Sequence, residues 1–186
     1  MFMDTLDLRY PIGEFRFPDA VSPEDRRRFV GQIGEAPARL RAAVSGLSEA
    51  QLETPYRPGG WTLRQLVHHV PDSHMNSYMR FRLALTEDDP TIKPYHEDRW
   101  ALLLDACSSP IEASLTLLEC LHARWVALLQ SLSEEEWRRT FRHPDLGPVS
   151  LEQNAALYAW HGRHHVAHIT ALRERMGWQQ RPRAPR

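Results

Sequence analysis

Little in this chain ties it to a membrane, an oxidising compartment or a polyanion. Its 186 residues include two cysteines, Cys107 and Cys120. That is too few for a disulfide framework and suits a cytoplasmic protein. Apolar runs are only a few residues long, far short of the roughly 20 that cross a bilayer. Neither sign of charge dominates: 23 Lys+Arg stand against 24 Asp+Glu, for a net charge of -1. Nucleic acid and anionic membrane are therefore not expected as partners. The first ten residues, MFMDTLDLRY, are acidic and soon broken by Pro11, unlike a signal peptide. No stretch alternates with the period of a strand, and no internal repeat is visible. What is present is an ordinary soluble balance, 42% hydrophobic and 25% charged, at a length that buries a core in one domain. One count is high. There are 10 histidines, and seven fall in two short windows, at 68, 69 and 74 and at 161, 164, 165 and 168.

Helix signals recur along the chain. Ser22-Pro23-Glu24-Asp25 supplies a cap, a proline at the first helical position and two first-turn acids. Phe29, Ile33, Ala36, Leu40 and Val44 then mark one apolar face to about Gly46, with Pro37 predicting a kink or two successive helices. Ser48–Gln51, Thr62–Gln65, Ser133–Glu136 and Ser150–Gln153 each fit a capping box. The second and fourth open long helices, to about Thr86 and to Gly177. Ser109-Pro110 repeats the cap-then-proline signal before a helix carrying Leu115, Leu118, Leu121, Trp125, Leu128 and Leu132. Residues 87–97 read as loop, 98–105 as a short helical turn, and Phe141–Val149 as a loop or short hairpin. The expected fold is all-α: a four-helix bundle with short connecting helices, one domain over residues 1–178. Residues 1–20 are expected to form an extended arm on the bundle or a neighbouring subunit, and 179–186 a disordered tail.

The last histidine window contains two pairs spaced four apart, His161/His165 and His164/His168. Residues four apart stack on one helix face, and two imidazoles there can share one ion at about 2.0–2.1 Å per bond. Spacing alone does not choose between the pairs, and a third ligand has to come from another helix, with 68–74 as the donor stretch. Helical zinc peptidases carry a glutamate beside the first histidine. Here that place is Gly162, so the peptidase reading fails.

At these residues the chain resembles the DinB/YfiT superfamily, most closely its YfiT branch of metal-dependent hydrolases. The resemblance is carried by Tyr10-Pro11-Ile12-Gly13-Glu14, Thr54-Pro55-Tyr56-Arg57, Gly59-Gly60-Trp61-Thr62, His68-His69 and Asp72 through Tyr78. Arg124-Trp125, His143-Pro144-Asp145 and His161–Ile169 complete it. It implies a four-helix bundle holding one divalent ion on three histidines, matching His69, His161 and His165. It leaves His68, His74, His164 and His168 to surrounding or structural roles, and it suggests a homodimer. Pro71 departs from the family pattern and is expected to kink the helix just past His69.

A three-histidine site keeps the ion's full charge and an open position, the arrangement of catalytic zinc, and nickel suits imidazole as well. Such a site brings the pKa of water from about 15.7 to about 7, which leads to hydrolysis. It equally ionises a thiol, which leads to thiol transfer of the bacillithiol type known in this branch. A non-catalytic bundle that binds metal or a small molecule is the third reading. Asp72, three residues after His69, is the candidate for a hydrogen-bond acceptor or a base. Asn76, Arg80, Asn154 and Tyr158 are the candidate pocket residues. The expected partner is a small molecule, with a low-molecular-weight thiol included.

Overall fold

A computed structural model describes residues 7–178. Four long helices dominate it: α1 (Pro23–Val44), α3 (Leu63–Thr86), α6 (Ile111–Ser131) and α8 (Leu151–Arg175). Short helices connect them: α2 (Glu49–Leu52), α4 (Glu97–Trp100), α5 (Leu104–Ser108) and α7 (Glu134–Trp137). A hairpin of β1 (Thr140–His143) and β2 (Gly147–Ser150), pairing Phe141 with Val149, leads into α8.

The start signals act as the sequence predicts. Ser48, Thr62, Ser133 and Ser150 each accept from the backbone N–H three residues on, and the Gln or Glu there reaches back. Ser22 forms the same reciprocal box with Asp25. Each such cap contributes about 1 kcal/mol and sets where its helix begins. Ser109 does not cap. Pro110 occupies the cap position of α6 with no side-chain bond, and the Ser109 carbonyl instead accepts from buried Arg64 Nη1 at 2.9 Å. Helix α1 continues through Pro37 and α3 through Pro71, so the two-helix alternative for residues 23–44 does not hold.

Around the bundle, α1 packs against α8 and α6, and α3 packs against the same two. Successive long helices α1 and α3 thus face each other across the diagonal, and α3 and α8 become neighbours. The apolar core is divided in two. One part gathers Ile33, Phe81, Trp125, Phe141 and Leu151; the other gathers Leu40, Leu63, Leu66, Leu118 and Ile169. Ala36 stands between Ile33 of the first part and Leu40 of the second along α1; here His122 meets the Ile33 carbonyl, and Gly162 of α8 lies close to Ala36 and the His74 ring. The N-terminal arm packs on α8 of its own chain, where Trp160 Nε1 donates to the Gly13 carbonyl at 3.2 Å. The expected disordered tail at 179–186 and the first six residues of the arm lie outside the described residues.

Candidate metal centre

Because α3 and α8 are neighbours, the two histidine windows meet. Nε2 of His161 lies 3.4 Å from Nε2 of His69 and 3.1 Å from Nε2 of His165. Two nitrogens bound tetrahedrally at 2.0–2.1 Å are about 3.4 Å apart, so these separations fit one small ion. Trp61 packs its ring on His69, with centroids 4.6 Å apart. A second trio, His164, His165 and His168, also brings ring nitrogens within 4.8 Å of one another. It lies wholly on α8, however, and shares His165. His164 stacks on Trp160 at 4.2 Å, while His168 packs on Tyr56 at 4.1 Å and donates from Nε2 to the Arg9 carbonyl at 3.0 Å. The pair His161/His165 is the one that converges with a residue of another helix.

Burial sets the protonation of the cluster. It lowers His69 to about 4 and holds His161 and His165 well below the ordinary histidine value, with the neighbouring imidazoles adding to the effect. At neutral pH the three rings are neutral and carry lone pairs, the form that binds metal. Two lone pairs aimed at each other across 3.1 Å repel unless a cation or proton lies between them. The donor set, its protonation and its spacing therefore fit a divalent ion. Behind it, His161 Nδ1 lies 3.0 Å from His74 Nε2, and His74 Nδ1 lies 2.8 Å from His122 Nε2.

A cavity of about 1010 Å³ opens over the cluster. Its floor is His69, His161 and His165, with Ser73, Tyr158 and Trp61 beside them; its rim carries Arg57, Arg80 and Lys93 and the hairpin turn His143-Pro144-Asp145. Arg9, Tyr10 and Tyr56 also line it, so the N-terminal arm, the 54–60 turn and the hairpin each contribute to its wall.

The structure sorts the remaining candidates. Arg80 and Tyr158 line the cavity, and Tyr158 shares a hydrogen bond with Ser73 (Oη···Oγ 3.3 Å). Asn76 and Asn154 do not line it. Asn76 donates to the Asp72 carbonyl one turn back, at 2.9 Å, and buried Asn154 donates to Ser77 Oγ at 3.0 Å, tying α8 to α3. Asp72 is half-buried, and burial, with nearby Asp105, raises its carboxyl to about 6. Its side chain makes no hydrogen bond to a cluster imidazole among the described residues. His68 turns to α6, with Nδ1 2.7 Å from Ser114 Oγ and Nε2 donating to the Ser109 carbonyl. Gly162 permits close packing of α1 on α8: a Cβ there would lie 3.0 Å from Ala36 Cβ and 3.6 Å from the His74 ring. Sequence reasoning gave His122, Glu97 and Lys93 no role. Glu97 and Asp145 are the carboxylates on the cavity wall.

Fold and site define a histidine-bearing four-helix bundle with a cavity over the histidines. The profile of the DinB superfamily matches residues 32–169, and the chain belongs to that superfamily. A relative from Bacillus cereus (strain AH820), named a "putative metal-dependent hydrolase", is 55% identical over 172 residues, covering 92% of this chain and 99% of the relative. A Bacillus anthracis (strain A0248) relative of the same name matches equally. Among solved structures, YfiT from Bacillus subtilis superposes with a TM-score of 0.90 at 48% identity, over 92% of this chain and 99% of YfiT. It is described as "a probable metal-dependent hydrolase with an unusual four-helix bundle topology". TT2238, a four-helix bundle protein at 20% identity and TM-score 0.54, over 78% of this chain and 98% of its own, shares the fold.

Proposed function

We propose that this protein is a hydrolase whose divalent ion, zinc or nickel, is held by His69, His161 and His165. The observation that carries the reading is the convergence of three neutral Nε2 atoms from two helices at the floor of the cavity. The relatives' names support it. A divalent ion there supplies Lewis acidity, polarising a substrate carbonyl and making water ionisable near neutral pH.

The chain's own residues would do the rest. Trp61 holds the His69 ring in place, and Tyr158 with Ser73 offers hydroxyls to a bound substrate. Arg80 and Lys93, which form no ion pair among the described residues, favour a substrate with an anionic group. Arg9, by contrast, is already paired with Asp7 at 2.8 Å. Thiol transfer to an electrophile is the second reading. It is favoured by one observation: among the described residues no carboxylate hydrogen-bonds to any of the three rings, so the usual proton carrier of a hydrolase is not at hand.

Metal content of protein purified without chelators tests the site, with His69→Ala, His161→Ala and His165→Ala in parallel. About one ion per chain is expected for the wild type, with loss in each variant. An empty wild type refutes the metal reading. Metal-loaded protein with carboxylate-bearing esters and amides, against an electrophile with a panel of thiols, then separates the two chemistries.

A further inference from the structure

His161 has two ring nitrogens, and the one turned away from the cluster enters a hydrogen-bond chain that crosses the whole bundle. The chain starts at a proline. A residue at position 37 of α1 would ordinarily donate its N–H to the carbonyl of Ile33 one turn back, but Pro37 has no N–H. That carbonyl is left free inside the core, and His122 Nδ1 of α6 lies 2.6 Å from it. A carbonyl only accepts, so the hydrogen sits on His122 Nδ1.

The rest follows link by link. His74 and His122 are buried and meet a carbonyl and other imidazoles, and a neutral imidazole has one N–H and one lone pair. His122 Nε2 therefore bears a lone pair, and His74 Nδ1, 2.8 Å away, donates to it. His74 Nε2 must then accept, and His161 Nδ1, 3.0 Å away, donates to it. His161 Nε2 is left with its lone pair, facing His69 and His165 at 3.4 and 3.1 Å. The chain cannot run the other way, because its far end can only accept. Each long helix contributes one member: Ile33 from α1, His122 from α6, His74 from α3 and His161 from α8.

We propose that His122 and His74 are positioning residues: anchored on the Ile33 carbonyl that Pro37 frees, they lock His161 in the tautomer that aims a lone pair at the metal position. Ligand histidines commonly rest their second nitrogen on a carboxylate or carbonyl directly. Here two further imidazoles carry that constraint from the opposite helix, about a bundle's width away. The inference rests on the proposed metal reading for its purpose but not for its geometry.

The test uses the full chain with ¹⁵N-labelled histidine side chains, first metal-free, recording which ring nitrogens carry hydrogen by long-range ¹H–¹⁵N NMR. Nδ1–H is expected on His122, His74 and His161. His122→Leu removes the anchor; a mixture of His161 tautomers is expected, with zinc affinity about 10-fold weaker by chelator competition, at the lower end of the 10–100-fold cost of losing an outer hydrogen-bond partner. His122→Gln can donate to Ile33 through its amide N–H and accept from His74 through its carbonyl, and is expected to restore both readouts. If His122→Leu does not fold, His122→Gln and the wild-type tautomers still decide. Hydrogen on Nε2 of wild-type His161, or His122→Leu with unchanged tautomer and unchanged zinc affinity, would overturn the proposal. Relay tautomers as expected in a protein that binds no zinc would sink the metal reading and leave the tautomer assignment standing.

Discussion

Acidifying the metal-free protein should unfold it over a narrow pH interval. His74 and His122 are buried and His161 is half-buried beside them; all three are held neutral, with folded pKa values below the unfolded value near 6.5. A depressed histidine pKa means that the unfolded chain binds protons that the folded chain refuses. Their contribution to stability is thus fully present above about pH 6.5 and is lost as pH falls toward the folded value. For His122, lowered to about 4, the full loss is about 3 kcal/mol. Each such group contributes a slope of up to about 1.4 kcal/mol per pH unit, so three acting together give about 4. A domain of ordinary stability holds about 5–15 kcal/mol, so about one to four units of acidification consume it. Urea unfolding of chelator-treated protein at several values between about pH 7 and about pH 5, at constant ionic strength, measures the slope directly. His122→Leu should reduce that slope by about 1.4 kcal/mol per unit while lowering stability at neutral pH. Stability that is flat across the interval would refute the placement of these rings as neutral, buried groups.

Three other outcomes are expected. Gly162→Glu recreates the helical zinc-peptidase pattern in sequence but places a Cβ 3.0 Å from Ala36. It should destabilise the fold by at least about 1–3 kcal/mol, lowering the melting temperature by several degrees, and confer no peptidase activity; a variant as stable as wild type contradicts the close α1–α8 approach. Arg80→Ala should raise KM about 10-fold or more for substrates bearing a carboxylate, the loss of one charge-assisted hydrogen bond, while metal content by elemental analysis stays the same. An equal effect on uncharged substrates would remove Arg80 from that role. Pro37→Ala supplies an N–H that competes with His122 for the Ile33 carbonyl. It should relieve the proline's helix penalty yet weaken zinc binding severalfold, a divergence read by thermal melts beside chelator competition, and unchanged affinity would deny the proline its part.

Much of this architecture was legible because it depends on local rules. The boxes at Ser48, Thr62, Ser133 and Ser150 are short-range hydrogen-bond patterns, and they placed the starts of four helices. The candidate ligand pair was less accessible: spacing offered His161/His165 and His164/His168 alike, and only the approach of α3 brings His69 to the first pair. That approach depends on the diagonal arrangement of α1 and α3, which no local pattern encodes. The capping role expected of Ser109 failed because the helix begins one residue later, with Pro110 at the cap position; the Ser109 carbonyl meets Arg64 and His68 from α3. Asn76 and Asn154 stand seven residues from His69 and His161, two turns along the same helix faces. Periodicity fixes a face, and a face packed on a neighbouring helix does not open into a cavity.

His122 carries a signal that hydrophobicity alone does not read. Reading α6 by hydrophobicity favours Leu121 and Leu128, whereas the fully buried stripe is Leu115, Leu118, His122, Trp125 and Leu129. That stripe keeps the spacing of three and four without a break, provided a polar residue is allowed in the middle of it. Proline in the middle of α1 is the same kind of exception, and the two explain each other: the carbonyl that one leaves unbonded is the acceptor that the other requires. A leucine at 122 with an alanine at 37 would give a more ordinary bundle, with fewer buried polar groups and a shallower response to acid. It would also leave His161 free to place its hydrogen on either nitrogen. The neutral rings that make the metal-free protein fragile to acid are thus the same ones that hold a lone pair ready at the cavity floor, so the two properties should rise and fall together across substitutions in this layer.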